Sequence, residues 1–479
     1  KIIFFFISYI INIMSLPSSM DYTKILPIAA GNPRAMRRTF LPVNGQSFTA
    51  AGNNIIRIEL SADQFWDAKH SYLRFQVNLN NVAMATFGLD NGGLHAFIRR
   101  LRLEQAGSIL YDVNRYDKLL SAILLPCQSN LQTQADRSIT EAQRYGNQGD
   151  AGNLNDPEIA GNTGGEFING VHNENGQIAV NGEFTLCAPL VGSLFSQDKL
   201  VPLQLLSSSP LTIEIELAPA ADVGIVAGMN NMTDYTISNI AYVAQLVDVS
   251  PEVDNQVRMI QELSGGAIVL NCTDYTHFNG NIAANSTGQQ AINVPARRKS
   301  IKNLLFVGAS QVFGAGAGQA LQRAVYNTSS GGHMNLLDYQ VKVGSIMHPA
   351  TPIRCNFNAG GDINTRAEAF EELTKCFMPV NNAIGLGGLS RVNYAVADGQ
   401  TGNMAASGNR PTYCPLGVDM EAFQRTAIEA GISTSEKSTP ITLLLNIGTA
   451  MGNSINIDAY VSYDALYYID SSGVISVSH

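Results

Sequence analysis

The sequence predicts an all-β chain made of two similar halves, each a sandwich of short antiparallel strands. Apolar residues recur with a period of two in segment after segment; Leu211, Ile213, Ile215 and Leu217, alternating with Thr212, Glu214, Glu216 and Ala218, are the clearest case. That period sends alternate side chains to opposite faces of a strand, one toward a core and one toward water. Clusters of Gly, Asn, Pro and Ser separate the segments, as in sandwiches and barrels. The same order of patterns begins again after residue 266.

Composition bounds what such a chain can do. At 479 residues it is long enough for two or three domains with well-buried cores. Charged residues make up 14%, against a usual value of about 25%, which leaves much uncharged polar surface suited to lateral contact between copies. A formal charge of −9 excludes a protein that coats nucleic acid with its whole body, because phosphate binding needs a surplus of Lys and Arg.

The first residues, KIIFFFISYIINIM, are strongly apolar but shorter than the about 20 residues of a bilayer-crossing helix. Lys1 before an apolar core fits a signal peptide, yet no small-residue cleavage site follows. The expectation is that translation starts at Met14 or Met20, a membrane-associated or internal arm being the second reading. Arg34, Arg37 and Arg38 follow with no nearby acid, read as a solvated N-terminal arm able to touch a polyanion.

Strands then come in order. Ile56, Ile58 and Leu60 alternate with Arg57 and Glu59, and Leu73, Phe75, Val77 and Leu79 with Arg74, Gln76 and Asn78. In IRRLRLEQAGSILYD, Ile98 is out of phase with Leu101 and Leu103, and Ala106-Gly107 supplies a hairpin turn. Residues 114–125 read as a short helix with Tyr116, Leu119, Leu120 and Ile123 on one face. After a long Gly/Asn-rich stretch, 145–177, comes the strand at Leu211; residues 236–250 are apolar on both faces and are expected to be covered on both, where the two sandwiches touch.

Residues 250–266, with more charge and a closing Gly pair, mark the boundary between halves. The second half offers strands in GAIVLNCTDY, KNLLFVGAS, DYQVKVGS, ITLLLNIG and SINIDAYVSYDALYYID. Two more short helices are expected, one with Ala369, Phe370, Leu373 and Phe377 on its apolar face, the other with Met420, Phe423, Ala427 and Ala430, stopped by Gly431. A second long Gly/Asn-rich stretch spans 381–410, and stretches of this length are functional or mobile surface.

Reactive constellations are hard to find. GAGAGQA, 314–320, lacks the Lys of a phosphate loop. His70, His95, His172, His277, His333, His348 and His479 show no metal-ligand spacing, and no G-x-S-x-G elbow occurs. Glu214 and Glu216 stand about 7 Å apart on one strand face, a spacing used by inverting glycosidases. They read as a solvated face and are expected to tolerate Gln. Cys127, Cys187, Cys272, Cys355, Cys376 and Cys414 form no C-x-x-C pair and read as mostly buried thiols of a protein made in a reducing compartment. Sequons at Asn231, Asn271, Asn285 and Asn327 matter only in a secreted chain. No catalytic, cofactor-binding or metal residue is assigned.

Several stretches together resemble one family. FWDAKHSYLRFQVNLN, AFIRRLRLEQAGSILYDVNRYDKLLSAILL, VPLQLLSSSPLTIEIELAPA and DYTISNIAYVAQLVDVSPE in the first half, and LLDYQVKVGSIMHPATPI and DAYVSYDALYYIDSSGVISVSH in the second, are similar in order and spacing to the double jelly-roll major capsid proteins of small eukaryotic DNA viruses. The resemblance is closest to those of polinton-like viruses, with virophage and adenovirus-type capsid proteins more distant, and it covers almost everything after about Phe40. It implies two tandem eight-stranded jelly rolls with short helices in loops; the expected division is an arm over 1–36, a first roll over 37–255 and a second over 256–479, and residues 1–13, which depart from the family's pattern, are expected to fall outside the mature protein.

It further implies a homotrimeric, pseudo-hexameric capsomer in an icosahedral double-stranded DNA virus shell, assembled inside the host cell. Its partners would be neighbouring capsomers, penton and minor or cement proteins, with the arm contacting genome or an internal membrane. No enzyme activity, cofactor or small-molecule substrate is implied. The alternatives are a carbohydrate-binding or glycan-hydrolysing β-sandwich, against which stands the single tryptophan, Trp66, and a secreted adhesin, which needs residues 1–14 to be a signal.

Overall fold

The computed structural model describes residues 33–78, 88–90, 92–129, 133, 137, 139–141, 183–206, 209–226, 230–231, 234–263, 266–310, 328–329, 331–357, 366–377, 388–389, 394–395, 413–422, 430–436, 439–450, 452 and 454–479. In the first half the principal strands are β1 (Arg34–Phe40), β2 (Ile55–Leu60), β3 (Phe65–Asn78), β4 (Ile98–Gln105), β5 (Ser108–Asn114), β6 (Glu183–Ala188), β7 (Leu211–Leu217) and β8 (Thr236–Asp248). Helix α1 (Pro251–Leu263) leads to the second half. There the strands are β9 (Ala267–Ile282), β10 (Gly288–Val294), β11 (Ile301–Ser310), β12 (Leu336–Val343), β13 (Ile346–Arg354), β14 (Leu416–Asp419), β15 (Ile441–Ile447) and β16 (Ile455–Asp470), followed by β17 (Ile475–Ser478). Helix α2 (Ala367–Phe377) lies between β13 and β14.

The two halves have one topology. In the first, the sheets run β1-β8-β3-β6 and β2-β7-β4-β5; in the second, β9-β16-β11-β14 and β10-β15-β12-β13. Adding eight to each label of the first half gives the second. All these pairings are antiparallel. Consecutive strands cross between two facing sheets, except for the β4–β5 and β12–β13 hairpins, in the jelly-roll order, so the chain is two tandem eight-stranded rolls.

Local chemistry accounts for the elements. β7 sits between β2 and β4, with Ile213 opposite Ile58 on one side and Leu103 on the other. Leu211, Ile213, Ile215 and Leu217 are all buried, together about 6–12 kcal/mol of transfer free energy before entropy, an upper bound. The β4–β5 turn has Ala106 at φ 50° and Gly107 at φ 79°, the two positive values of a hairpin turn whose twist matches its strands. Ile98, out of phase in the sequence, is brought into register by a bulge: Glu216 faces Arg100, but Leu217 faces Ile98.

Several expectations need correction. The basic stretch read as a solvated arm is strand β1, paired along its whole length with β8 from Arg34↔Asp248 to Phe40↔Tyr242. Its side chains are exposed up to Thr39, but the backbone is committed to the sheet. The boundary stretch is a 13-residue helix. The helical stretch after β5 runs through Tyr116–Lys118, a π-helical Leu119–Leu124 and Leu125–Gln128, and is buried on nearly every side rather than on one face. α2 agrees with expectation, whereas Val418 and Asp419, placed in a third helix, belong to β14; residues 423–429 lie outside the described residues. So do 145–177, 314–320 and all of 381–410 except 388–389 and 394–395.

Because successive strands alternate in direction, connections that follow odd-numbered strands leave each roll at one end, here termed distal. Those that follow even-numbered strands, and the entry to and exit from each roll, lie at the proximal end. Both long Gly/Asn-rich stretches, one following β5 and the other β13, belong to distal connections.

Ile213→Asp, which places a charge between Ile58 and Leu103, should lower stability by about 4 kcal/mol or more. Soluble yield and circular dichroism read the loss.

Candidate functional site: the seam between the rolls

Contacts between the two halves occur at matching heights. At the proximal end, Gln105 after β4 donates from Nε2 to Gly473 O at 2.8 Å, and the Ile475 N–H donates to Gln105 Oε1 at 2.7 Å. At the distal end, Asp90 in the β3–β4 connection meets the β11–β12 connection. Its Oδ2 accepts from the Thr328 N–H at 3.0 Å, the Ser329 N–H at 3.2 Å and the Ser329 hydroxyl at 3.2 Å. Proximal meets proximal and distal meets distal, so the rolls stand side by side pointing the same way.

Between these ends the seam buries charge. Asp458 of β16 receives Lys118 Nζ at 3.0 Å and His277 Nε2 at 2.8 Å, all three side chains being nearly inaccessible. Burial alone would raise this carboxyl, but Lys118, the His277 hydrogen bond and Arg115 outweigh it and hold Asp458 well below the usual carboxylate range. The Tyr460 hydroxyl donates to Arg115 O at 2.8 Å, at a residue held in the left-handed region, φ 52°. Lower down, the Tyr467 hydroxyl donates to Asp274 Oδ2 at 2.7 Å and meets Ser193 Oγ at 2.5 Å.

Other seam carboxyls are pushed the opposite way. Burial raises Asp90 to about 7 against the pull of the hydrogen bonds it accepts. It raises Asp274 to about 7, opposed by Tyr467, and Asp117 to about 6, opposed by Arg115. The seam therefore combines one firmly ionised carboxylate with three that titrate between mild acid and neutrality.

The sequence assigned no site residue and did not disclose this seam. The available signal was ionisable residues inside apolar runs: Asp117 and Lys118 before LLSAILL, and Asp458 and Asp464 in the last long strand. The doubly apolar strand β8 was expected where the sandwiches touch. Ala241 and Val243, on the face opposite its core residues Tyr242 and Ala244, are indeed buried, but the hydrogen bonds between halves in the middle of the seam fall on β9 and β16 instead.

The residues considered for chemistry have structural surroundings. Glu214 is buried, not solvated: Arg57 Nε lies at 2.8 Å and Arg102 NH1 at 3.1 Å, so glutamine there removes a charge that two arginines share. Trp66 is fully buried, its ring edge-on to Phe195 and Tyr242 and its N–H donated to Ser71, and cannot act as a sugar platform. All six cysteines are free; Cys187 is half-buried, the rest buried, and burial pushes the Cys272 thiol up to about 12. Among the described residues no three His, Cys, Asp or Glu side chains lie together as a metal site. An open hollow where α1 leaves β8 is lined in part by Asp63, Asp248 and Asp254, and Asp254 is already taken by Arg258 and Gln204.

No family model matches the chain, and no curated protein does. Solved structures do. The Faustovirus major capsid protein superposes with a TM-score of 0.55 at 8% identity, over 95% of this chain and 93% of that one. PBCV-1 VP54, as fitted into a reconstruction of the virophage Sputnik, gives 0.55 at 10% identity over 96% and 99%. The mavirus major capsid protein gives 0.50 at 10% over 97% and 95%. The likeness is one of fold. It covers 95–97% of the chain.

Two outcomes test the seam. Lys118→Met leaves Asp458 buried without its ammonium partner and should cost about 3–5 kcal/mol in denaturant unfolding, much of it recovered when Asp458→Leu is added. The second concerns pH. The unfolded chain releases its Asp protons near pH 4, while Asp90, Asp117 and Asp274 hold theirs to about 6–7, so these groups make stability fall as pH rises from about 4 to about 7. His333, lowered by burial to about 4, acts in the opposite sense over the same range and offsets part of this. The unfolding midpoint should be higher at pH 5.5 than at pH 7.5, and Asp274→Asn should shrink the difference.

Proposed function

We propose that this chain is the major capsid protein of an icosahedral double-stranded DNA virus and works by tiling, without chemistry. The observation that carries the reading is the parallel, side-by-side pair of jelly rolls with the longest insertions at one end, an architecture shared along nearly the whole chain with structures named as major capsid proteins. Such a pair is a block with two similar faces. Three blocks around a threefold axis present six rolls, a pseudo-hexagon that packs a surface.

In this reading residues 37–255 and 256–479 are the two rolls, the first extended back to Arg34 by β1, and the preceding residues are an arm at the proximal end. The distal connections face outward. Neighbouring capsomers, penton and minor or cement proteins are the partners, and genome or an internal membrane lies beneath. The order of sequence motifs supports the polinton-like lineage as the nearest relatives of the virus. The protein is made in the host cell and ends in the virion shell.

Negative-stain microscopy and native mass spectrometry of the purified protein should show trimers with hexagonal outline. A preparation that is monomeric at micromolar concentration rejects the reading.

A further inference from the structure

The seam inside one chain is a template for the contact between chains. Within the chain, the first roll presents β5, the helical stretch that follows it and the turn at Ser193–Ser196 to β9 and β16 of the second. Each of these surfaces has a counterpart in the other roll, since labels eight apart are equivalent. The counterparts are β13 with α2, in the same connection of the second roll, and β1 with the outward face of β8 on the first. β1 is exposed along six of its seven residues, and on the edge strand β13 only Ile353 is buried.

The two counterparts carry opposite charge. On the edge strand β1, Arg37 projects on the outward side, 5.7 Å over the Tyr72 ring, and Arg38 on the other side, 5.0 Å over the Phe40 ring, with Arg74 on β3, one strand beyond β8. Among the described residues none of the three makes an ion pair, unusual in a chain of net charge −9. On the second roll, α2 packs beside β13 and exposes Glu368 and Glu371, which likewise have no ion-pair partner among the described residues.

The arrangement excludes wrong orders as well as favouring the right one. In the internal seam the β5 side brings Arg115 and Lys118, and the β16 side brings Asp458. With those groups buried inside each chain, the faces left free are β1 on the first roll and α2 on the second: two first rolls meeting would set Arg37 and Arg38 toward their own copies, and two second rolls would set Glu368 and Glu371 toward theirs. Both combinations are like-charged and disfavoured. Only strict alternation of first and second rolls pairs basic with acidic at every junction.

Resting on the reading of this chain as a trimeric shell protein, we infer that the Arg37/Arg38 edge of the first roll docks on the Glu368/Glu371 helix of the second roll of another copy. These contacts fix the order of the rolls around the ring.

The test is a charge exchange on the full chain, read by native mass spectrometry, with circular dichroism to confirm folding. Arg37→Glu/Arg38→Glu should abolish the trimer and leave a folded monomer, and adding Glu368→Arg/Glu371→Arg to the same chain should restore it. The wild-type trimer should also weaken as salt is raised. A wild-type protein that never forms trimers sinks the functional reading itself. A wild-type trimer that survives Arg37→Glu/Arg38→Glu, or a lost trimer that the glutamate exchange fails to restore, overturns the inference alone. Should the arginine reversal not fold, the milder Arg37→Ala/Arg38→Ala decides between the same two outcomes: a trimer with unchanged salt dependence overturns the inference, and one that dissociates at lower salt supports it.

Discussion

Asp458 is the charge on which the seam turns. A carboxylate that deep in a protein is sustained only by charged and hydrogen-bonding partners in good geometry, and both come from fixed neighbours: the Lys118 ammonium from the first roll, the His277 ring nitrogen from the adjacent strand of the second. Moving one roll relative to the other would strip Lys118 away and leave a buried charge half-satisfied. An apolar seam could slide at little cost. This one has a single register, and the Gln105 and Asp90 contacts at its two ends repeat that register 368 and 238 residues apart in sequence. The parallel arrangement of the rolls, and with it the placing of long connections at one end, follows from that constraint.

The seam's other carboxyls give it a different character. Asp90, Asp117 and Asp274 are buried with too little compensating charge to stay firmly ionised, so each proton gained in mild acid relieves a desolvation cost. Asp458 is already ionised far below that range and contributes nothing to the change. The geometry is thus set by one group and the pH response by others. Two rolls joined in this way can hold one shape while the free energy holding it varies with its surroundings.

How much of this the sequence discloses depends on the range of the interaction. Period two is local, so LTIEIEL and ITLLLNI announce themselves as strands, and they prove to be equivalent central strands of the two rolls. The Ala106-Gly107 turn is legible for the same reason. RAMRRTF has no alternation; it is a strand because β8 offers it an unpaired edge, a fact located more than 200 residues away. α1 had a readable sign, Val253, Val257 and Ile260 at helical spacing, obscured by the charges around it. The seam was least legible, since a Lys in an apolar helix and an Asp in an alternating strand look the same whether they face water or each other.

The internal repeat also bears on why the two rolls have diverged in charge. If both presented the same surfaces, any roll could follow any other, and rings of wrong size or open chains would compete with the closed trimer proposed for this chain. A basic group on β1 and acidic residues on α2, set against the reverse polarity within the chain, give each junction a sign. Exposed ion pairs are individually weak, about 0–1 kcal/mol each. Their effect on order does not depend on strength, because the wrong junction loses an attraction and gains a repulsion at once, at every junction of a ring that must close.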